Sequence, residues 1–266
     1  MTAVATAPRR ATHTRPLRVT FPRLLRSEAI KILSLRSTWW SLGVTAALSV
    51  GISFLIAAAS SGMDGGFPAA TVLLAPTQFT MLVAGILGAI VVTGEYSTGM
   101  IRSTLTAEPR RGAVMLAKAL VVAAVMAATT VVIYAVASVV TTPMLSAGLD
   151  WSQPEQSLVP LVLGATAMAA FTLMGLGFGF LLRSGAGAIA TTVGVLFVLP
   201  IVLGLFTFAG PDWQWIVDAG EYLPSSAASQ LMSPGGEQLV QGAISLAAWV
   251  AAPLVLGYVA LRSRDA

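Results

Sequence analysis

The chain has no cysteine. That excludes disulfides, thiolate metal sites and a cysteine nucleophile. It has one histidine, His13, in a polar tail, and two lysines, Lys31 and Lys118. A phosphate-cradling loop needs a lysine directly after a glycine. These lysines follow Ile30 and Ala117, so any ATP chemistry must belong to a separate chain. Charge is scarce as well: 10% of the 266 residues are charged, against about 25% in a soluble domain. A surface so short of charge does not stay in water. What the chain has instead is 56% hydrophobic residues and a mean hydropathy of +0.84.

A helix needs about 20 mostly apolar residues to cross the hydrocarbon core. Six stretches qualify: Trp39–Ala59, Thr71–Thr93, Ala113–Val140, Leu158–Leu182, Ala186–Phe208 and Gly242–Leu261. Ala57-Ala58-Ala59 resembles a signal cleavage site, but the apolar run before it exceeds the about 7–15 residues of a signal core. None of the six carries a charge near its middle, and Lys118, near an end, is expected to snorkel to the interface. The spans lack the paired carboxylates or Ser-His sets of an intramembrane hydrolase. They also lack the ionisable groups of a proton- or ion-coupled carrier.

Lys and Arg set orientation. They precede the first span (Arg9, Arg10, Arg15, Arg18, Arg23, Arg26, Lys31, Arg36) or flank the second connection (Arg102, Arg110, Arg111, Lys118). The remainder are Arg183, between spans four and five, and Arg262 and Arg264 after span six. Together these are all 15 basic residues, and a six-span chain puts every one on the same side. The opposite side carries only acids: Asp64, Asp150, Glu155, Asp212, Asp218, Glu221 and Glu237. Both termini are therefore expected in the cytoplasm. Trp39, Trp40, Trp151, Trp213, Trp215 and Tyr222 fall at span ends, where interfacial aromatics belong.

The expected organisation is a disordered cytoplasmic tail over residues 1–20 and one all-α six-span membrane domain over 21–266. Residues 21–38 form an amphipathic elbow on the membrane surface. Phe21, Leu24, Leu25, Ala29, Ile32, Leu33 and Leu35 share one arc; Arg23, Arg26, Ser27, Lys31 and Ser34 share the other. Glu28 and Arg36 interrupt the apolar arc. The cytoplasmic segment 94–112 is longer than a plain joint between spans. Ile101 and Leu105, four apart, give a short helix one apolar face, and Pro109 ends it. That face fits either a docking plug for another protein or a loop resting on lipid.

Two runs carry a resemblance. Ser27-Glu28-Ala29-Ile30-Lys31-Ile32-Leu33-Ser34-Leu35-Arg36-Ser37-Thr38-Trp39-Trp40 resembles the entry segment of bacterial ABC type-2 permeases. So does Gly94-Glu95-Tyr96-Ser97-Thr98-Gly99-Met100-Ile101-Arg102-Ser103-Thr104-Leu105, with Pro109-Arg110-Arg111 and Lys118 after it. The outer segment 209–241, with Leu223-Pro224-Ser225-Ser226-Ala227, adds to this. The resemblance implies the membrane subunit of an ATP-binding-cassette exporter in a bacterial plasma membrane. Residues Arg23, Arg26, Glu28, Lys31 and Arg36 would belong to the elbow helix. Glu95, Tyr96, Met100, Ile101, Arg102, Leu105, Arg110 and Arg111 would couple to a cytoplasmic ABC ATPase. That partner would hold the ATP and magnesium, so this chain binds no cofactor or metal and is not itself an enzyme. Pairing with a second permease subunit, identical or related, would put the substrate path between them. Gln78, Thr80, Met81, Phe197 and Phe206 are candidates to line it, each also explicable by packing. Gly175 and Gly179 form a close-packing pair, and Pro200 is placed to kink the fifth span. A different class of function, a membrane scaffold or sensor docking a cytoplasmic protein, uses the same segment. Arginine outnumbers lysine 13 to 2, which agrees with a bacterial source.

Overall fold

The computed structural model describes residues 20–61, 66–145, 148–233, 236 and 238–263. The expected tail therefore lies outside the described residues apart from residue 20, as do Asp64, Glu237 and Arg264. Among the described residues the fold is all α, with no strand. Helices satisfy their own backbone groups, which lipid cannot do for them.

Six helices are long and apolar enough to cross a membrane: Arg36–Ser60, Ala69–Ser97, Arg111–Met144, Pro154–Leu182, Gly185–Phe208 and Leu239–Ser263. They coincide with the six expected spans, each extended by a few residues. Before them runs α1 (Phe21–Ser34), which ends where Leu35 turns extended. The helix α2 (Arg36–Ser60) starts immediately after. The elbow is thus shorter than 21–38: Arg36 to Thr38 belong to the first span. Trp39 clasps the corner by donating from Nε1 to the Leu33 carbonyl at 2.8 Å.

The second span is not one rod. A short helix α3 (Ala69–Leu74) is followed by α4 (Thr77–Ser97). Pro76, which has no N–H, separates them, and its carbonyl accepts from the amide nitrogens of Phe79 and Thr80 at 2.9 and 3.0 Å. The helix α4 continues past Thr93, so Glu95 lies in a helix and not in a loop. Gly99, at φ 72°, turns the chain into α5 (Met100–Ala107); glycine adopts that left-handed conformation without steric cost. Glu108 is extended, as a residue before proline should be, and α6 (Arg111–Thr141) follows.

The fourth span, α7 (Pro154–Leu182), stands at the centre. It meets α4 backbone to backbone. A Cβ on Gly88 would lie 1.9 Å from the Thr172 carbonyl oxygen, and one on Gly175 would lie 1.9 Å from that of Gly85. Gly179 sits 3.0 Å from Val92 by the same measure. The Gly175–Gly179 pair is therefore a packing device. Gly177, between them, turns to the opposite side and meets Pro253 and Leu254 of the sixth span, α12 (Leu239–Ser263). Met126, Met168, Phe171, Met174 and Phe180 fill the remaining core.

The fifth span is peripheral, with 11% of its apolar window buried against 61% for the second. It runs as α8 (Gly185–Val193), a π-helical turn over Gly194–Val198 and α9 (Leu199–Leu205). The Leu199 amide reaches back five residues to the Gly194 carbonyl. The irregularity next to Pro200 is thus a π-turn, one of the usual causes of helix bending. Beyond it the chain forms α10 (Gln214–Ala219) and α11 (Pro224–Leu231). The short helix α11 packs into the bundle through Ala227, Ala228 and Leu231, with Leu223 just before it, all buried.

Candidate functional site

At the basic end of the bundle, α1 lies along α6 and against the foot of α4. Its packed face is Leu24, Glu28 and Ile32, at i, i+4 and i+8. A carboxylate in the middle of that face is costly unless its charge is answered. The answer is a closed ring of four ionised side chains. Lys118 on α6 donates to Glu28 on α1 at 2.5 Å and to Glu95 on α4 at 2.7 Å. Lys31, one turn beyond Glu28, donates to the same two acids at 2.8 and 3.1 Å. A further bond from Lys31 reaches the Thr104 hydroxyl on α5 at 3.1 Å. Two acids and two bases alternate, so the net charge is zero and four helices share one joint.

Three expectations about these residues are corrected here. Lys118 does not snorkel: it is 1% exposed, because two carboxylates inside the protein offer it more than lipid headgroups do. Lys31 does not stand on the wet face but turns inward to the same acids. Glu28 is no interruption of the apolar arc; it is the centre of the packed face. Leu33, on the expected arc, faces outward with Ile30. Burial lowers the Lys31 pKa, but its hydrogen bond to Glu28 and the charges of Glu95 and Glu28 outweigh that and hold it above its ordinary value.

The apolar face of α5 is likewise not a free plug. Ile101 is 2% exposed, and Leu105 packs between α1 and the start of α6. The side left open carries Met100, Arg102, Ser103, Thr106 and Ala107. Between it and α1 lies a cleft of about 530 Å³, lined by Arg23, Ser27, Lys31, Met100, Thr104 and Glu108 among others. Glu108 is buried under Arg110, whose guanidinium donates to it at 2.8 and 3.0 Å and whose amide donates at 3.2 Å. These bonds hold the Glu108 carboxyl below its ordinary pKa.

A second set of cations ties the sixth span to the same end. Arg111 Nη1 donates to the Leu261 carbonyl at 2.5 Å, and Arg183 Nη2 to that of Ala260 at 2.9 Å. These are the last carbonyls of α12, where unpaired acceptors and the negative end of the helix dipole meet. Arg183 also lies over the Tyr96 ring, 5.2 Å from its centroid. It has a positive φ of 55°, the one non-glycine residue described with that backbone. Arg26, Arg36 and Arg102 are exposed around the joint.

The candidate path residues scatter. Thr80 and Met81 are buried in the core; the Thr80 hydroxyl donates to the Pro76 carbonyl at 3.2 Å. Phe197 and Gln78 are exposed on the flank, and Gln78 donates to Ser229 at 3.0 Å. Phe206 packs on Trp213, their ring centroids 5.5 Å apart. Among the described residues no cluster of His, Asp and Glu is placed to hold a metal ion. Sequence reasoning saw Glu28, Lys31, Glu95 and Lys118 but did not join them. One signal was available: acids are rare at this end, so each marks a need for a nearby cation.

Set against known proteins, the chain matches no family model and no curated relative.

Proposed function

We propose that this chain is the permease subunit of an ATP-driven ABC exporter. The observation that carries the reading is the division of labour on α5. Its inner face is fixed by Ile101 and Leu105, its Thr104 touches the charge ring, and its outer face is open. A push on α5 or on the elbow thus reaches the feet of the second and third spans without an intervening flexible loop. The positive-inside rule makes this end cytoplasmic, where an ATPase works. The resemblance of the two cytoplasmic runs to ABC type-2 permeases supports the same assignment.

In mechanism, a separate ABC ATPase binds ATP and magnesium and closes. Its motion displaces α5 and α1 together, and the ring keeps Glu95 and Lys118 in step with them. The bundle then exchanges access between the two membrane sides. ATP binding need only favour one of the two arrangements to drive the exchange. Thr80 and Met81 are buried in the core of the single chain, which favours a path between two permease subunits, beside the little-buried fifth span with Phe197.

The test is co-purification of the ATPase from native membranes. Met100→Asp with Arg102→Glu alters only exposed side chains and is expected to weaken recovery of the ATPase about tenfold, as loss of an interface anchor does. Recovery unchanged, with the protein folded, favours a scaffold that docks its partner elsewhere.

A further inference from the structure

At the acidic end, the outer segment and the fifth span border an open groove of about 480 Å³. That is within the about 300–1,000 Å³ typical of small-molecule sites. One wall is apolar: Pro200, Leu203 and Gly204 of the fifth span, with Val217 and Leu223. The other is polar: Glu221, Ser226, Ser229, Gln230 and Gln238. The polar wall is held in place. Ser245 and Trp249 of α12 both donate to the Tyr222 carbonyl at 2.7 Å, and Gln230 Nε2 donates to the Glu221 carbonyl at 3.1 Å. That last bond orients the Gln230 amide and leaves its Oε1 buried with no donor. Among the described residues the Ser226 hydroxyl, the Gln238 amide and the Glu221 carboxylate make no hydrogen bond within the chain. Glu221 and Gln238 are exposed to water on the same side, so the Gln230 oxygen is the buried acceptor that the chain leaves unanswered, with these polar groups around it. Convergence of a few polar groups on a largely apolar wall marks a ligand site rather than a packing fault.

We infer that this groove binds the head of an amphipathic molecule that is neutral or cationic and donates hydrogen bonds, such as an amine or an alcohol. The unused Gln230 oxygen and the Glu221 carboxylate call for donors. No Lys or Arg lies at this end of the described chain, so an anionic head would meet carboxylates and no counter-charge. The apolar body would lie along the fifth span, where Ile201, Val202 and Leu205 are exposed. That this molecule is the exporter's cargo rests on the reading above; that the groove binds it does not.

The absence of cysteine makes a single introduced thiol unambiguous. Leu203→Cys puts one in the groove wall, and Phe208→Cys puts one outside it, at a side chain that is 88% exposed. The full chain is reconstituted in vesicles without any ATPase, and maleimide labelling is timed with dodecylamine, dodecanol or dodecanoate present. Dodecylamine is expected to slow labelling at position 203 about tenfold. Dodecanol should do so about threefold less strongly, the margin of a partly solvated ion pair, and dodecanoate should have no effect. Glu221→Gln should abolish the preference for amine over alcohol. Equal slowing by all three probes, equal slowing at position 208, or slowing that follows protein concentration without a probe (a second copy covering the site) would each overturn the inference. Because no ATPase is present, that failure is distinct from failure of the co-purification above.

Discussion

At the scale of single residues, the joint at the basic end depends most on Lys118. It is the buried cation of the ring, whereas the Lys31 side chain keeps 22% of its surface exposed. Lys118→Met would leave Glu28 and Glu95 with Lys31 alone, and breaking a buried pair in this way costs about 3–5 kcal/mol. Thermal unfolding of the purified variant should show a large fall in midpoint. Removing the stranded acids as well, with Glu28→Gln and Glu95→Gln beside Lys118→Met, should recover part of it. Titration gives a second expectation. The lowered Glu108 pKa means that its contact with Arg110 contributes fully above the ordinary value of 4.5 and is lost as pH falls through the lower folded value. The raised Lys31 pKa means that its contribution is full below 10.5 and is lost only at more alkaline pH. Hydrogen-exchange protection of residues 108–112, taken relative to the intrinsic rate at each pH, should therefore fall only in acid, and that of α1 only in strong alkali. Loss of protection in either near neutrality would contradict these assignments.

At the scale of elements, backbone contact between α4 and α7 decides the fold's tolerance. Gly88→Ala and Gly175→Ala force a methyl against a carbonyl oxygen that cannot retreat. Each should cost several kcal/mol, at the upper end of what overpacking does, with loss of monodisperse protein. Gly43→Ala, with nothing within 4 Å of the added carbon, should be neutral or slightly stabilising. The small-residue spacing on α7 was legible in the sequence because Gly175 and Gly179 recur one turn apart. Their partners Gly85, Ala89 and Val92 were not, since pairing of helices is a tertiary fact. The elbow was legible as a helix, with Leu24 and Ile32 inward and Arg23, Arg26 and Ser34 outward; the inward turn of Glu28 and Lys31 was not. Amphipathic reasoning sends charges to water, whereas Glu28 and Lys31 found opposite charges inside. Helix α11 was not legible either: its Ser- and Ala-rich run has no apolar period long enough to stand out from a polar loop.

At the scale of the whole molecule, six long apolar runs and one-sided arginines were enough to give the span count and order. Side-chain contacts bind those runs into a unit at the basic end. The charge ring joins α1, α4, α5 and α6, and Arg111 and Arg183 join the next connections to the end of α12. Motion at this face should therefore be collective. Truncating the elbow before Arg36 should disturb labelling of thiols placed on α5, where an independent elbow would leave them unchanged.

The most direct measurement is isolation of the full chain from its native membrane under mild conditions, followed by assay of ATP hydrolysis with and without the Met100→Asp, Arg102→Glu variant. An ABC ATPase is expected to accompany the unaltered chain and to carry all the hydrolysis, and the variant is expected to lose both. Hydrolysis by the purified chain alone, or an isolated complex with no ATPase in it, would contradict the permease assignment.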